Sequence, residues 1–327
     1  EDGVQALVDE LTGEGRDMPV VVVGSSITSQ SEMQINDANL MRIERQISLA
    51  DNPFILDHRI GPNYVLPATC ASSWLADACE ASFPPWRFFR MKDFKVLKGI
   101  TLNDIEQKYE LKLEKIADQK NDELQIEAEV ISHNANGRRI FHYSGRVILV
   151  RNIPPAPLHS TSIIEKLKPS EFINGKRYYA DGTLFHGPLL QGVQRAVRLN
   201  ERQLITRVSL LEIPIEKQGQ FPVGSVNPYV SDAIVQSLLI WSQETYAAPC
   251  LPSRVKEWVQ YQTIPFNREA WVILMVTSHN KFAVAGDILV MDDEGREFNH
   301  FSGLEGTVSQ QLNRFIGRKA EQGVTAR

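Results

Sequence analysis

The sequence predicts an α+β fold built twice over. Three observations carry this. Two long helical stretches stand far apart, each opened by a proline, Pro67 and Pro228. Each is followed by about four stretches that alternate apolar with polar residues, the signature of antiparallel strands with one solvated face. A proline-rich segment, NIPPAPLHSTS at 152–162, divides the two series and excludes regular structure there.

Composition narrows the class. The chain has 327 residues, 43% hydrophobic and 23% charged, with a formal net charge of −5. These values suit a soluble globular protein and exclude a disordered chain. A membrane span needs roughly 18 or more consecutive apolar residues, and the longest clear run is Trp271 to Val276. The slight acidic excess argues against nucleic acid. Cys70, Cys79 and Cys250 are too few and scattered for a disulfide framework or a zinc cage. With no signal peptide visible, a reduced, cytoplasmic protein is expected.

In chain order, Gly3 to Leu11 reads as a helix, with Val4, Leu7, Val8 and Leu11 on one face. Pro19 to Gly24 reads as a short strand buried on both faces. Gly13-Glu14-Gly15 follows a helix rather than a strand, so it is no dinucleotide fingerprint. Residues 1–26 are expected to be the last αβ unit of a preceding α/β domain. The opening Glu1-Asp2-Gly3, without Met, agrees with a piece of something longer. Met41 to Leu49 is the first strand of the repeat. A Gly/Pro loop with Asp57 and His58 follows. Pro67 opens a helix with Ala71, Trp74, Leu75 and Ala78 on one stripe, and Pro84-Pro85 stops it. Strands are expected at Phe94–Leu102, Tyr109–Ile116, Leu124–His133 and Ile140–Val150, with a hairpin turn at Asn136-Gly137.

After the linker the order recurs. Gln203–Leu211 is strand-like. A helix runs from Pro228 to about Thr245, packing through Val230, Ala233, Ile234, Leu238 and Trp241. Strands are expected at Val255–Ile264, Trp271–His279, Phe282–Asp292 and Phe298–Val308. One long helix cradled by an antiparallel sheet is a hot-dog fold, and two in tandem make a double hot dog. The expected boundaries are 1–26 for the preceding domain's tail, 27–152 for the N-terminal hot dog, 153–170 for the linker and 171–327 for the C-terminal hot dog.

Two residues stand out chemically. His58, in DHRIGPNYVLP, lies in a loop just before a helix start, and a neutral imidazole is a good proton acceptor. The helix N-terminus beside it offers unpaired N–H groups for a developing oxyanion. Asp232 lies in NPYVSDAIVQSLLIW, too deep for an N-cap, with Gln236 four residues on and on the same face. A carboxyl removed from water is expected to have a raised pKa, to stay protonated and to act as an acid. One base and one acid suit β-elimination of water.

These residues resemble the dehydratase domains of polyketide and polyunsaturated fatty acid synthases. That family's first motif has His, a Gly four residues on and a Pro five further. His58 and Pro67 match, while Pro62 holds the Gly position with Gly61 just before it, and Pro67-Ala68 replaces Pro-Gly. The second, Tyr-Gly-Pro-x-x-Gln-Gly, is similar to His186-Gly187-Pro188-Leu189-Leu190-Gln191-Gly192, with His186 for Tyr. The third, His-Pro-x-x-x-Asp-x-x-x-Gln, is similar to Asn227-Pro228 through Asp232 to Gln236, with Asn227 for His. A final Leu-Pro matches Leu251-Pro252. The departures, with Leu97-Lys98-Gly99, look more like the polyunsaturated fatty acid synthase branch.

The resemblance implies a double hot-dog dehydratase acting on a 3-hydroxyacyl thioester carried on the phosphopantetheine of an acyl carrier protein. His58 would take the C2 proton and Asp232 would protonate the leaving hydroxyl, oriented by Gln236. Amides near Ala68 or Thr69 would polarise the carbonyl. Gly61, Pro62, Pro67, His186, Gly187 and Pro188 would shape the substrate site. No metal or redox cofactor is expected. The implied partners are the carrier protein and neighbouring synthase domains, with a ketoreductase on the N-terminal side and a homodimer left open. Lys92, Lys95 and Lys98 are a candidate docking patch for an acidic carrier. The substitutions at Pro62, Ala68, His186 and Asn227 leave an alternative: a degenerate or product-shaping double hot dog that binds the chain without dehydrating it. A single-hot-dog thioesterase and a pure interaction module fit the paired His58 and Asp232 less well.

Overall fold

The computed structural model describes residues 33–37, 40–102, 107–116 and 122–316. The αβ unit expected within residues 1–26 lies outside them. Fifteen strands follow in chain order: β1 Met33–Asp37, β2 Leu40–Ile47, β3 Arg59–Ile60, β4 Asn63–Tyr64, β5 Arg87–Val96, β6 Gln107–Lys115, β7 Glu123–His133, β8 Arg139–Val150, β9 Ile173–Asn174, β10 Val193–Arg198, β11 Gln203–Val208, β12 Cys250–Gln260, β13 Ala270–His279, β14 Ala283–Met291 and β15 Glu297–Val308. The two long helices are α1, Ala68–Ser82, and α2, Pro228–Tyr246.

Thirteen strands form one sheet, ordered β1-β2-β6-β7-β8-β5-β12-β15-β14-β13-β11-β10-β9. The duplication is visible in that order. Outward from the β5–β12 seam, one side reads β5, β8, β7, β6, β2 and the other β12, β15, β14, β13, β11. Each half therefore runs strand, long helix, then four antiparallel strands, and joins its twin through its first post-helical strand. The seam is antiparallel, pairing Lys95 with Arg254 and Met91 with Trp258. This is the double hot dog that the sequence predicts.

Both helices sit where the sequence puts them, and both are held by their ends. Pro67 precedes α1, and the chain turns away at Phe83. Asn227 caps α2 by accepting from the Val230 amide at 3.2 Å, with Pro228 in the first turn. Asn227 also donates to the Ile264 carbonyl at 3.0 Å, so this departure from the related motif has a structural role. α2 is buried on every side from Pro228 to Gln243, rather than on one packing face. Asp232, Gln236 and Ser237 are therefore polar groups inside a core, and each needs a partner. One apolar cluster spans both halves, from Ile47 and Trp74 to Trp258 and Leu304.

Two strands begin earlier than expected. β5 runs Arg87–Val96 in place of Phe94–Leu102, because register shifts between Phe88 and Arg90 and between Lys92 and Lys95 break its alternation. β12 runs Cys250–Gln260 in place of Val255–Ile264, since a shift between Pro252 and Arg254 lets Pro252 sit at an irregularity. β10, which is not among the expected strands, pairs with β11. The segment after 152 is irregular but anchored. His159 Nε2 meets Glu297 Oε2 at 2.6 Å, and the His159 amide donates to Gly295 at 2.8 Å.

Asp77 of α1 ties the helices together. Its carboxylate accepts from Ser225 N at 2.7 Å, just before α2, and from Ser73 Oγ at 2.8 Å. Burial pushes this carboxyl up to about 6, against those hydrogen bonds and with nearby Glu80 adding to the rise. A carboxyl raised above its unfolded value of about 3.9 stabilises the fold fully below that value and loses the contribution as pH rises through about 6. Asp77→Asn removes this titration. Thermal melts should show the variant gaining on the wild type between about pH 4 and 7, by on the order of 1–3 kcal/mol. A constant difference across that range would refute the assignment.

Candidate active site

His58 follows a 3-10 turn, Pro53–Asp57, and precedes the β3–β4 hairpin. Its main chain is bound on both sides: its amide donates to Ile55 O at 3.0 Å, and its carbonyl accepts from Val65 N at 3.1 Å. Its Nδ1 stands 2.7 Å from Val65 O and donates there, so Nε2 is left as the proton acceptor. The ring lies edge-on to Phe185 and beside His186, at centroid distances of 5.0 and 5.3 Å.

The second half brings Asp232 and Gln236 from α2 to the same place. His186 Nε2 stands 3.2 Å from Asp232 Oδ2, and Gln236 Nε2 donates to the same oxygen at 3.0 Å. Gln236 is itself held, donating to Leu190 O at 3.0 Å and accepting from Tyr179 Oη at 2.7 Å. Exposures of 7% for His58, 4% for His186, 8% for Asp232 and 1% for Gln236 put the group inside the protein.

Burial sets the charges. Desolvation pulls His58 down to about 4, despite the opposing pull of Asp232, so its imidazole is neutral at physiological pH. Burial also pushes Asp232 up, but the pull of His186, through its charge and its hydrogen bond, and the Gln236 bond outweigh it. The net result is a carboxyl below its ordinary value. This corrects the expectation of a protonated Asp232: the resting residue is a carboxylate paired with His186.

A cavity of about 230 Å³ opens onto this group. His58, His186, Asp232 and Gln236 line one part, with Ala68 and Thr69 at the start of α1. Those first-turn amides have no partner within the helix, and Thr69 Oγ1 has no hydrogen-bond partner among the described residues. The rest is mostly apolar, with Phe94, Tyr143, Leu239, Trp258, Phe301 and Leu304 beside Ser72 and Arg254, and it crosses the β5–β12 seam. The site is thus built from both halves.

Five expected site residues do not line the cavity; they shape its frame. Gly61 and Pro62 form the β3–β4 turn, where Gly61 has φ +61°. Pro67 starts α1. Gly187 and Pro188 belong to a loop fastened beside His58 by Asp57, a residue to which the sequence alone assigns no role. The Gly187 amide donates to Asp57 O at 2.7 Å, and the Leu189 amide to Asp57 Oδ2 at 2.8 Å. A Cβ on Gly187 would come within 2.2 Å of Asp57 Oδ1. Gln191 Nε2 donates to His186 O at 3.0 Å. A Cβ on Gly192 would meet the Ala233 Cβ at 2.4 Å, so this glycine lets the His186 loop lie against α2. Gly192→Ala is expected to cost about 1–3 kcal/mol through that overlap, read as a lower Tm; an unchanged Tm would show that the loop can lift away.

Comparison with known proteins agrees with this fold. A family model described as polyketide synthase dehydratase N-terminal domain matches residues 169–314, which here form the second hot dog. The dehydratase domain from the CurF module of curacin polyketide synthase superposes with a TM-score of 0.67 at 17% identity, over 86% of this chain and 98% of that one. A trans-AT polyketide synthase dehydratase domain from Brevibacillus brevis gives 0.68 at 19% identity, over 86% and 97%. The fold is thus the double hot dog of these dehydratase domains, and the family match falls on its second half. A relative by sequence is a polyunsaturated fatty acid synthase polypeptide of Thraustochytrium sp., 26% identical over 235 residues, which are 71% of this chain and 8% of that protein. The chain thus spans a small part of the synthase it matches.

Proposed function

We propose that this domain eliminates water from a 3-hydroxyacyl thioester on an acyl carrier protein, giving a 2-enoyl thioester, within a cytoplasmic polyketide or polyunsaturated fatty acid synthase. The observation that carries the reading is the meeting of His58, from the first half, with Asp232 and Gln236, from the second, at one buried cavity with an apolar extension. His58 Nε2 removes the C2 proton. The C2–H electron pair becomes the C2–C3 double bond as the C3–O bond breaks, and the departing hydroxyl takes a proton from the Asp232–His186 pair. The α1 amides near Ala68 and Thr69 hold the charge that develops on the thioester oxygen. After water leaves, the proton on His58 returns to the pair. No metal or redox cofactor enters this scheme.

Related structures support the roles. Two solved forms of the CurK dehydratase, one a His-to-Phe and one an Asp-to-Asn substitution, are described as inactive mutants. For the carrier, Lys95 and Lys98 are exposed beside cavity residues Val96 and Gly99, whereas Lys92 lies 3.5 Å from Glu257 and is partly neutralised. The carrier would dock on Lys95 and Lys98, next to neighbouring domains that include a ketoreductase. The deciding experiment offers the purified chain 3-hydroxyacyl groups of several lengths on a carrier protein and follows loss of water by mass spectrometry. Formation of enoyl product is expected. Binding without any elimination would establish the product-shaping alternative.

A further inference from the structure

We infer that His58, His186 and Asp232 together bind a single divalent transition-metal ion of the Zn²⁺ or Co²⁺ class. The three side chains are buried, and one ligand atom from each lies within 4.8 Å of the others. They come from three separately anchored segments: the turn before β3, the loop fastened by Asp57, and α2.

The orientation of each donor fits. His58 spends Nδ1 on Val65 O at 2.7 Å, which leaves Nε2 as its available ligand atom. A ring nitrogen fixed by a backbone carbonyl is the usual outer-shell arrangement of a metal-bound histidine. His186 Nδ1 is buried without a hydrogen-bond partner among the described residues, so that nitrogen is uncommitted while Nε2 meets Asp232 Oδ2 at 3.2 Å. The hydrogen bond from Gln236 and the contact with His186 both fall on Asp232 Oδ2, which leaves Oδ1 for a cation. Gln236 steadies the carboxylate from outside, and Tyr179 and Leu190 steady Gln236.

The donor set selects the ion. Two imidazoles and one carboxylate, with a position open toward the cavity, suit Zn²⁺ or Co²⁺. Ca²⁺ and Mg²⁺ take oxygen ligands and do not fit. Bonds of 2.0–2.2 Å in a tetrahedral site put donors roughly 3.4 Å apart, so side-chain rotations of about an ångström complete it. His186 is the residue that makes the set. Tyrosine, which the related motif carries there, offers no neutral nitrogen.

An ion so placed takes the Nε2 lone pair of His58 and the Asp232 carboxylate at once. On the reading of the previous subsection, on which this consequence alone rests, it is a reversible inhibitor.

The test titrates the chelator-treated chain with Co²⁺ and follows visible d–d absorption. A saturable band is expected, displaced by Zn²⁺. His58→Ala, His186→Tyr and Asp232→Asn should each weaken it at least about tenfold, whereas His159→Ala, at the separate Glu297 cluster, should keep it. No band in the wild type, or an unchanged band in His186→Tyr and Asp232→Asn, overturns the inference. In parallel, Zn²⁺ should stop dehydration and chelator should restore it. A chain that dehydrates but gives no band defeats the metal site alone; a chain that gives the band but never dehydrates defeats the proposed function alone.

Discussion

His58→Ala is expected to lower kcat for dehydration of a carrier-bound 3-hydroxyacyl group by about 10²–10⁴-fold, the usual contribution of a positioned general base. The loss should be chemical rather than structural. The turn that carries His58 is held by its backbone, through Ile55 O and Val65 N, and the side chain adds one hydrogen bond to Val65 O. The far-ultraviolet circular dichroism of the variant should match that of the wild type. No other described side chain at the cavity combines the features of His58: a neutral nitrogen fixed by its second nitrogen, beside the start of α1. Near wild-type turnover in the variant would falsify the assignment of the base.

The architecture was readable because its signals are local. Pro67 and Pro228 mark where helices begin, and Pro84-Pro85 marks where one must stop. The alternation in β7, β8, β13 and β15 has the period of a half-buried strand. The expected strand ends failed at β5 and β12, where register shifts change which residues face inward and the two-residue period is lost. Both lie at the seam between the halves, where each strand has to fit a partner from the other half.

The site was legible only in part, and for a similar reason. His58, Asp232 and Gln236 stand in recognisable spacings, and the fold brings them together. The charge on Asp232 could not be read that way. An isolated carboxyl in an apolar helix is expected to stay protonated, and the contact of His186 with Oδ2, joined by the Gln236 bond, reverses this. That pairing depends on Asp57, 132 residues away from Leu189, whose amide it accepts. Nothing in the local sequence of Asp57 separates it from a loop aspartate exposed to water.

Asp232→Asn should lower kcat by about 10²–10⁴-fold as well, because an amide cannot relay the proton of the Asp232–His186 pair to the leaving hydroxyl. The amide keeps the shape of the carboxylate and can still accept from Gln236, so the α2 packing should survive and KM should change far less than kcat. Gln236→Leu tests positioning. It leaves the Tyr179 hydroxyl and the Leu190 carbonyl without their bonds to Gln236 and frees the carboxylate to rotate, and its loss of kcat should be smaller than that of Asp232→Asn. The double variant His58→Ala/Asp232→Asn separates two mechanisms. If base and acid act in one concerted elimination, removing the second group costs little once the first is gone, and the double variant should be nearly as active as the slower single one. Losses that multiply would show that the two residues serve separate steps, with C2 deprotonation and departure of the hydroxyl no longer joined across the seam.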